Sequence, residues 1–148
     1  MTRTLIYGIG NPYRCDDAVG IKVAEELKKK LNGPVIKSGT IDGFAMLDEI
    51  AGFDYVIFID SIKTENGIPG NIYTFSPEIE KHNLVSSHTT SFLNILHLGE
   101  KFGYKIPKKI KVYAVEIKDN ASFSEDCTRE VKTAIPQLVQ SIIDDLQN

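Results

Sequence analysis

Asp17, Asp60 and His88 come from three separate stretches of this 148-residue chain, and between them they offer two carboxylates and one imidazole. Oxygen and nitrogen donors in that proportion suit a divalent transition metal whose remaining coordination positions stay open. His88 follows Ser86 and Ser87 and precedes a helical pattern, so its imidazole is expected at a helix N-terminus. The helix dipole there disfavours the imidazolium and leaves the neutral form, the one that binds metal. Asp60 closes the apolar run Tyr55–Ile59, where a carboxylate can face the crevice beyond the strand ends; a solvated turn aspartate explains it equally well. Asp17 stands beside Asp16 at the start of another helical pattern. Capping is the favoured account of Asp16, since an N-cap stabilises a helix by about 0.5–2 kcal/mol and needs one carboxylate. A second like charge beside it is best justified by a cation, which singles out Asp17.

Other candidates carry less. Gly8-Ile9-Gly10-Asn11 opens like a dinucleotide fingerprint, but Tyr13 occupies the third glycine position and no Gly-Lys-Ser/Thr follows. A turn that needs positive φ is the plainer account of those glycines. Cys15 would be a nucleophile with His88 as base, yet the neighbouring carboxylates raise a thiol pKa and weaken that reading. His82 and His97 read as loop and semi-buried histidines without a role. Lys105, Lys108, Lys109 and Lys111 read as the solvated start of a strand. The polar stretch from Lys118 to Asp126 either lines the cleft or is merely solvated.

These residues need a scaffold that brings them together, and the chain reads as a single αβ alternation over residues 1–148. Thr4–Gly8 is a strand; Val19, Val23, Leu27 and Leu31 put one apolar face on a helix from Asp17 to Leu31, which Asn32-Gly33-Pro34 stops. Pro34–Ser38 is a second strand and Phe44–Ile50 a short helix. Tyr55–Ile59, apolar throughout, is a strand buried on both faces and the expected sheet centre. Asn66-Gly67 and Pro69-Gly70 leave no room for a helix before Asn71–Phe75, so that fourth strand is expected to be antiparallel and at an edge. Ser76 to Ser87 reads as loop, Phe92, Ile95, Leu96, Gly99 and Phe102 as a third helix, and Lys109–Ile117 as the fifth strand. Val131, Ile135, Leu138, Ile142 and Leu146 share one face of a last helix, in which Pro136 predicts a kink or a late start. The fold class is therefore α/β, a three-layer α/β/α sandwich on a five-stranded, mostly parallel sheet with one antiparallel edge strand.

Composition narrows the partners. Lys and Arg number 17 against 20 Asp and Glu, a formal net charge of -3, which is no footprint for nucleic acid or an anionic membrane. Cys15 and Cys127 make no C-x-x-C pair, so a disulfide framework or zinc knuckle is not expected and a reducing, cytoplasmic location is. No apolar run approaches the roughly 18 residues that span a bilayer, and the N-terminus carries no export pattern.

Taken together, Gly8-Ile9-Gly10-Asn11 with Asp16-Asp17-Ala18-Val19-Gly20, Ile59-Asp60-Ser61, Ser86-Ser87-His88 and Pro107-Lys108-Lys109 resemble the nickel–iron hydrogenase maturation endopeptidases. The resemblance runs over nearly the whole chain and implies a three-layer αβα hydrolase. Its activity would be to clip a C-terminal extension from a hydrogenase large-subunit precursor after nickel insertion. It also implies that Asp17, Asp60 and His88 read nickel carried by that precursor, with Asp17 as the catalytic residue, working through a metal-polarised water or as a carboxylate base. Other divalent ions are expected to occupy the site in vitro, and the chain is expected to be a monomer. Many relatives have an Asp-Gly-Gly-Thr type loop after strand two, where this chain has Ser38-Gly39-Thr40-Ile41-Asp42-Gly43. Asn11, Gly39, Asp42 and Gly43 are thus candidate substrate contacts. The rival reading is a receiver-like phosphoacceptor domain using Asp16, Asp17 and Asp60. Against it stand the long Gly8–Cys15 connection, the turn after strand three, and the absence of any task for His88.

Overall fold

A strand whose side chains are buried on both faces needs cover on both sides, and two strands set that requirement here. In β1 (Thr4–Ile9) only the first residue is part-exposed, and β3 (Tyr55–Ile62) is buried throughout. The computed structural model, which describes residues 2–40, 45–76 and 95–147, places them side by side in the middle of the sheet. β2 (Val35–Gly39) flanks β1, while β5 (Lys109–Glu116) and β4 (Ile72–Phe75) continue beyond β3, giving the order β2-β1-β3-β5-β4. The β1–β2, β1–β3 and β3–β5 pairs are parallel and β4 runs antiparallel to β5, so the edge position and direction expected for the fourth strand hold.

Among the described residues, α-helices on both faces supply the cover. On one face α1 (Val19–Lys30) and α4 (Arg129–Gln147) set Val19, Val23, Leu27, Val131, Leu138 and Ile142 against Ile6, Ile57, Ile59, Tyr113 and Val115. On the other, α2 (Ala45–Ile50) and α3 (residues 95–101) bring Met46, Ile50 and Leu96 onto Leu5, Val56, Phe58 and Val112. Each such side chain contributes about 1.5–3 kcal/mol when fully buried. The three-layer expectation is met. α4 starts at Arg129, ahead of Pro136, so the proline does not delay it. Pro136 faces solvent, where the carbonyl its missing N–H leaves free can meet water.

Two connections depart from the sequence reading. β3 continues past Asp60 to Ile62, because β5 still pairs with it at Ser61–Val115 and Ile62–Glu116 after β1 has stopped at Ile59. Asp60 therefore lies inside the strand, just beyond the reach of β1. The short link from β3 to β4 does not join neighbours; it crosses the carboxyl end of β5, and buried Glu116 holds it there. That carboxylate accepts from Thr64 N at 2.8 Å, Thr64 Oγ1 at 2.6 Å and the Tyr73 hydroxyl at 3.3 Å. Glu116 N donates to Asn71 O, and Glu116 O accepts from Gly70 N, each at 2.8 Å.

The opposite end of the sheet has its own tie. Tyr55, Tyr113 and Lys111 all donate to Asp145 Oδ2 of α4, at 2.9, 3.0 and 3.1 Å. Lys111 is thus a partner in a half-buried network rather than a solvated lysine, and Lys109 lies over the Tyr55 ring at 4.5 Å. Burial pushes the Asp145 carboxyl up, but the hydrogen bonds from Lys111, Tyr55 and Tyr113 outweigh it and hold the group below its ordinary range.

Candidate active site

The site forms at the carboxyl ends of β1 and β3, where the chain leaves the sheet in opposite directions, β1 toward β2 and β3 toward β5. Three glycines let it close up. Gly8 and Gly10 do not have positive φ, contrary to the turn expected of them. They are small because carbonyls lie against them: a Cβ on Gly8 would stand 2.1 Å from Gly20 O, and one on Gly10 would stand 2.0 Å from Asp17 O. A Cβ on Gly20 would meet Ile59 O at 2.4 Å and Ile9 O at 2.6 Å. The first turn of α1 and the 3-10 turn before it (Cys15–Ala18) therefore rest directly on the strand ends.

That seating delivers Asp17. Its half-buried carboxylate accepts from Asn11 N at 3.0 Å through Oδ2 and from the Ser61 hydroxyl at 3.0 Å through Oδ1. Asn11 in turn accepts from Tyr13 N at 2.9 Å through Oδ1 and from Arg14 N at 3.2 Å through its carbonyl, so the loop is wound tightly around the acid. Ser61 also donates its backbone N–H to Asp60 Oδ1 at 2.8 Å. One serine thus spans both carboxylates, the accessible Asp17 and the 1% exposed Asp60. Ser61 stands in the Ile59-Asp60-Ser61 stretch but is given no role by the sequence, where its signal is a hydroxyl immediately after a strand-ending acid.

Asp16 has another task. It does not cap the helix that follows it, since no side-chain cap bond is made at the start of that turn. Its fully buried carboxylate reaches across the molecule instead, accepting from Lys118 N and Asp119 N at 3.0 Å and from Thr128 N at 2.6 Å. The Thr128 hydroxyl donates to it as well, 2.8 Å from Oδ2. Thr128 immediately precedes α4, so the charge sits at the positive end of that helix. With its oxygens so engaged, Asp16 is not available as the cation ligand that a receiver-type acid pair requires.

Cys15 is buried, and its thiol is pushed up by burial and then by the charges of Asp16 and Asp119. Cys127, whose Sγ lies 3.7 Å from Cys15 O, is pushed up to about 11, again mainly by burial and then by Asp16. Neither is a ready thiolate nucleophile.

Of the expected substrate contacts, Asn11 is in the loop around Asp17. Gly39, at φ 155, accepts from Gly10 N at 3.2 Å, and Thr40 Oγ1 donates to Gly10 O at 2.8 Å, so the segment after β2 begins beside the site. Asp42, Gly43 and His88 lie outside the described residues. Among the described residues no group of three His, Cys, Asp or Glu side chains is arranged to hold a metal ion. What they contribute is two carboxylates on either side of Ser61, Asp17 half-buried and Asp60 buried. The polar stretch after β5 is part of the rim, tied to Asp16 through Lys118 and Asp119. A groove of about 380 Å³ lined by Lys22, Glu26, Lys132 and Val139 contains no residue of this site. No helix among the described residues is long and apolar enough to cross a membrane.

Comparison with known proteins agrees with this architecture. A family model described as hydrogenase maturation protease matches residues 21–145. The hydrogenase 2 maturation protease of Escherichia coli strain K12 is 27% identical over 120 residues, covering 76% of this chain and 72% of its own. The solved structure of the hydrogenase maturating endopeptidase HybD from E. coli superposes with a TM-score of 0.82 at 23% identity, covering 99% of this chain and 93% of that one. The nickel–iron hydrogenase maturation protease HybD from Thermococcus kodakarensis gives 0.76 at 22% identity, covering 99% and 100%. These two structures share the fold.

Proposed function

The chain belongs to the hydrogenase maturation protease family, and from that premise we propose that it is an endopeptidase for a nickel–iron hydrogenase large-subunit precursor. It removes the C-terminal extension of that precursor after nickel has been inserted. Asp17, Asp60 and His88 recognise the nickel, which arrives in the substrate and leaves with it. The reading rests on one observation above the others: Ser61 ties Asp17 and Asp60 together at the carboxyl ends of β1 and β3, the crevice where open α/β sheets bind their ligands. The accessible Asp17 is the side chain that touches substrate. Fixing the scissile peptide beside it converts attack by water into an intramolecular step, which is worth several kcal/mol. Asp60, held still by its buried surroundings, gives the nickel a donor of fixed position.

The experiment mixes the protein with a nickel-loaded large-subunit precursor from the same cell and follows loss of the tail by mass. Cleavage is expected with nickel-loaded precursor and not with the nickel-free form. Asp17→Asn, Asp60→Asn and His88→Ala are each expected to slow it by 100-fold or more, within the range of about 10²–10⁴ for loss of a positioned catalytic group. Cleavage by all three variants at the unmutated rate would overturn the proposal.

A further inference from the structure

Tyr13 and Phe123 are aromatic side chains with no packing duty: they are 52% and 88% exposed. Their rings nevertheless stack, 6.1 Å between centroids and 10° from parallel, the one such ring pair among the described residues. They come from loops 110 positions apart that pair as a miniature parallel ladder, with Ser124 N donating to Tyr13 O and Cys15 N to Ser124 O, both at 2.9 Å. Beneath them, Asp16 fixes Lys118, Asp119 and Thr128, and Asp119 fixes Ala121 and Ser122 through its side chain at 2.9 Å. Two exposed rings on so firm a base lose little freedom when something covers them, which is how aromatic anchors at interfaces gain their weight.

Their place relative to the site identifies what covers them. Tyr13 belongs to the turn that wraps Asp17: its N–H bonds to Asn11 Oδ1, and Asn11 N bonds to the Asp17 carboxylate. We infer that Tyr13 and Phe123 form a docking platform for the polypeptide substrate, taking an apolar side chain a few residues from the bond cut at Asp17. This rests on the endopeptidase reading above. A polypeptide laid past Asp17 advances about 3.3 Å per residue in extended form, so the platform selects at a subsite distinct from the metal-reading residues. It thereby sets which tail sequences are held long enough to react.

The test is the steady-state cleavage of nickel-loaded precursor by the full chain and by Phe123→Ser, Tyr13→Ser and the double variant. Phe123 is almost wholly in solvent, so its replacement is expected to leave the melting temperature unchanged. The expected result is a KM raised about 10-fold in the double variant, equivalent to about 1.4 kcal/mol, with kcat within a factor of two. Tyr13→Phe and Phe123→Tyr, which keep the rings, are expected to restore KM. Unchanged KM with intact cleavage overturns the platform and leaves the endopeptidase reading standing. A fall in kcat at constant KM also overturns it, since that places the rings in the chemistry rather than in docking. Failure of the unmutated chain to cleave overturns the endopeptidase reading, and the platform falls with it.

Discussion

Asp16 and Asp17 are adjacent acids, one bonded across the molecule and the other given the proposed catalytic role, and replacing each by asparagine separates the two. In Asp16→Asn one carboxylate oxygen becomes an NH₂ group. Set at Oδ1, it confronts the Thr128 N–H now bonded at 2.6 Å; set at Oδ2, it confronts the Lys118 and Asp119 N–H groups at 3.0 Å. The Thr128 hydroxyl can turn to accept, but a backbone N–H cannot, so at least one donor is left without an acceptor in a fully buried site. An orphaned donor costs about 1–3 kcal/mol, and the remaining bonds lose the strengthening that a charged acceptor gives. A total near 3–4 kcal/mol lowers Tm by roughly 6–15 °C for a chain of this length. In Asp17→Asn the amide oxygen keeps Asn11 N, and the amide NH₂ donates to a Ser61 hydroxyl that is free to rotate. That change costs at most about 1 kcal/mol while removing the charge that the proposed chemistry uses. Thermal melts and cleavage assays on both variants check the assignment. Equal melting temperatures, or a larger loss of stability in Asp17→Asn, would refute the reasoning.

Gly20→Ala places a methyl 2.4 Å from Ile59 O and 2.6 Å from Ile9 O, backbone atoms that cannot yield. It is expected to destabilise by about 3 kcal/mol and to lift Asp17 from the strand ends, so the urea midpoint and the cleavage rate fall together. Tyr55→Phe removes a donor from Asp145 and is expected to cost about 1 kcal/mol at pH 7. Because the Asp145 carboxyl is held below its ordinary range, its contribution is present above the unfolded value near 3.9 and disappears as pH falls through the folded value. Melts of both proteins between pH 7 and pH 2 should therefore show their difference shrinking only at the acid end.

Periodicity and burial were legible in the sequence wherever one face of an element meets its neighbour. The Val19, Val23, Leu27 stripe and the unbroken Tyr55–Ile59 run lead directly to α1 and the central strand, and both Asp17 and Asp60 bond to Ser61. Distant partners were not legible. Asp16 looks like a helix cap because capping is local, whereas its partner Thr128 is 112 residues away and carries no mark of the contact. Glu116 lies within the Lys109–Ile117 strand and carries no mark in the sequence of the β3–β4 crossover that it holds. Gly8 and Gly10 suggested a turn, since a sequence shows that a side chain is missing and not whether φ or a carbonyl demands it. Ser61 escaped for a related reason: its hydroxyl matters only once two strand ends have been brought side by side.

The bond from Asp16 to Thr128 also bears on the order of assembly. A loop of 112 residues must close before that carboxylate has its partners, and contacts of such separation are late events on a folding route. Before then, settling the segment from Asn11 to Asp17 on the strand ends would take the Asp16 charge out of water without its partners, which is unfavourable. The bonds of that carboxylate are complete only once the helix that Thr128 begins has packed against the sheet. The turn that carries Asp17 and the start of the C-terminal helix are thus one structural unit, joined through Asp16.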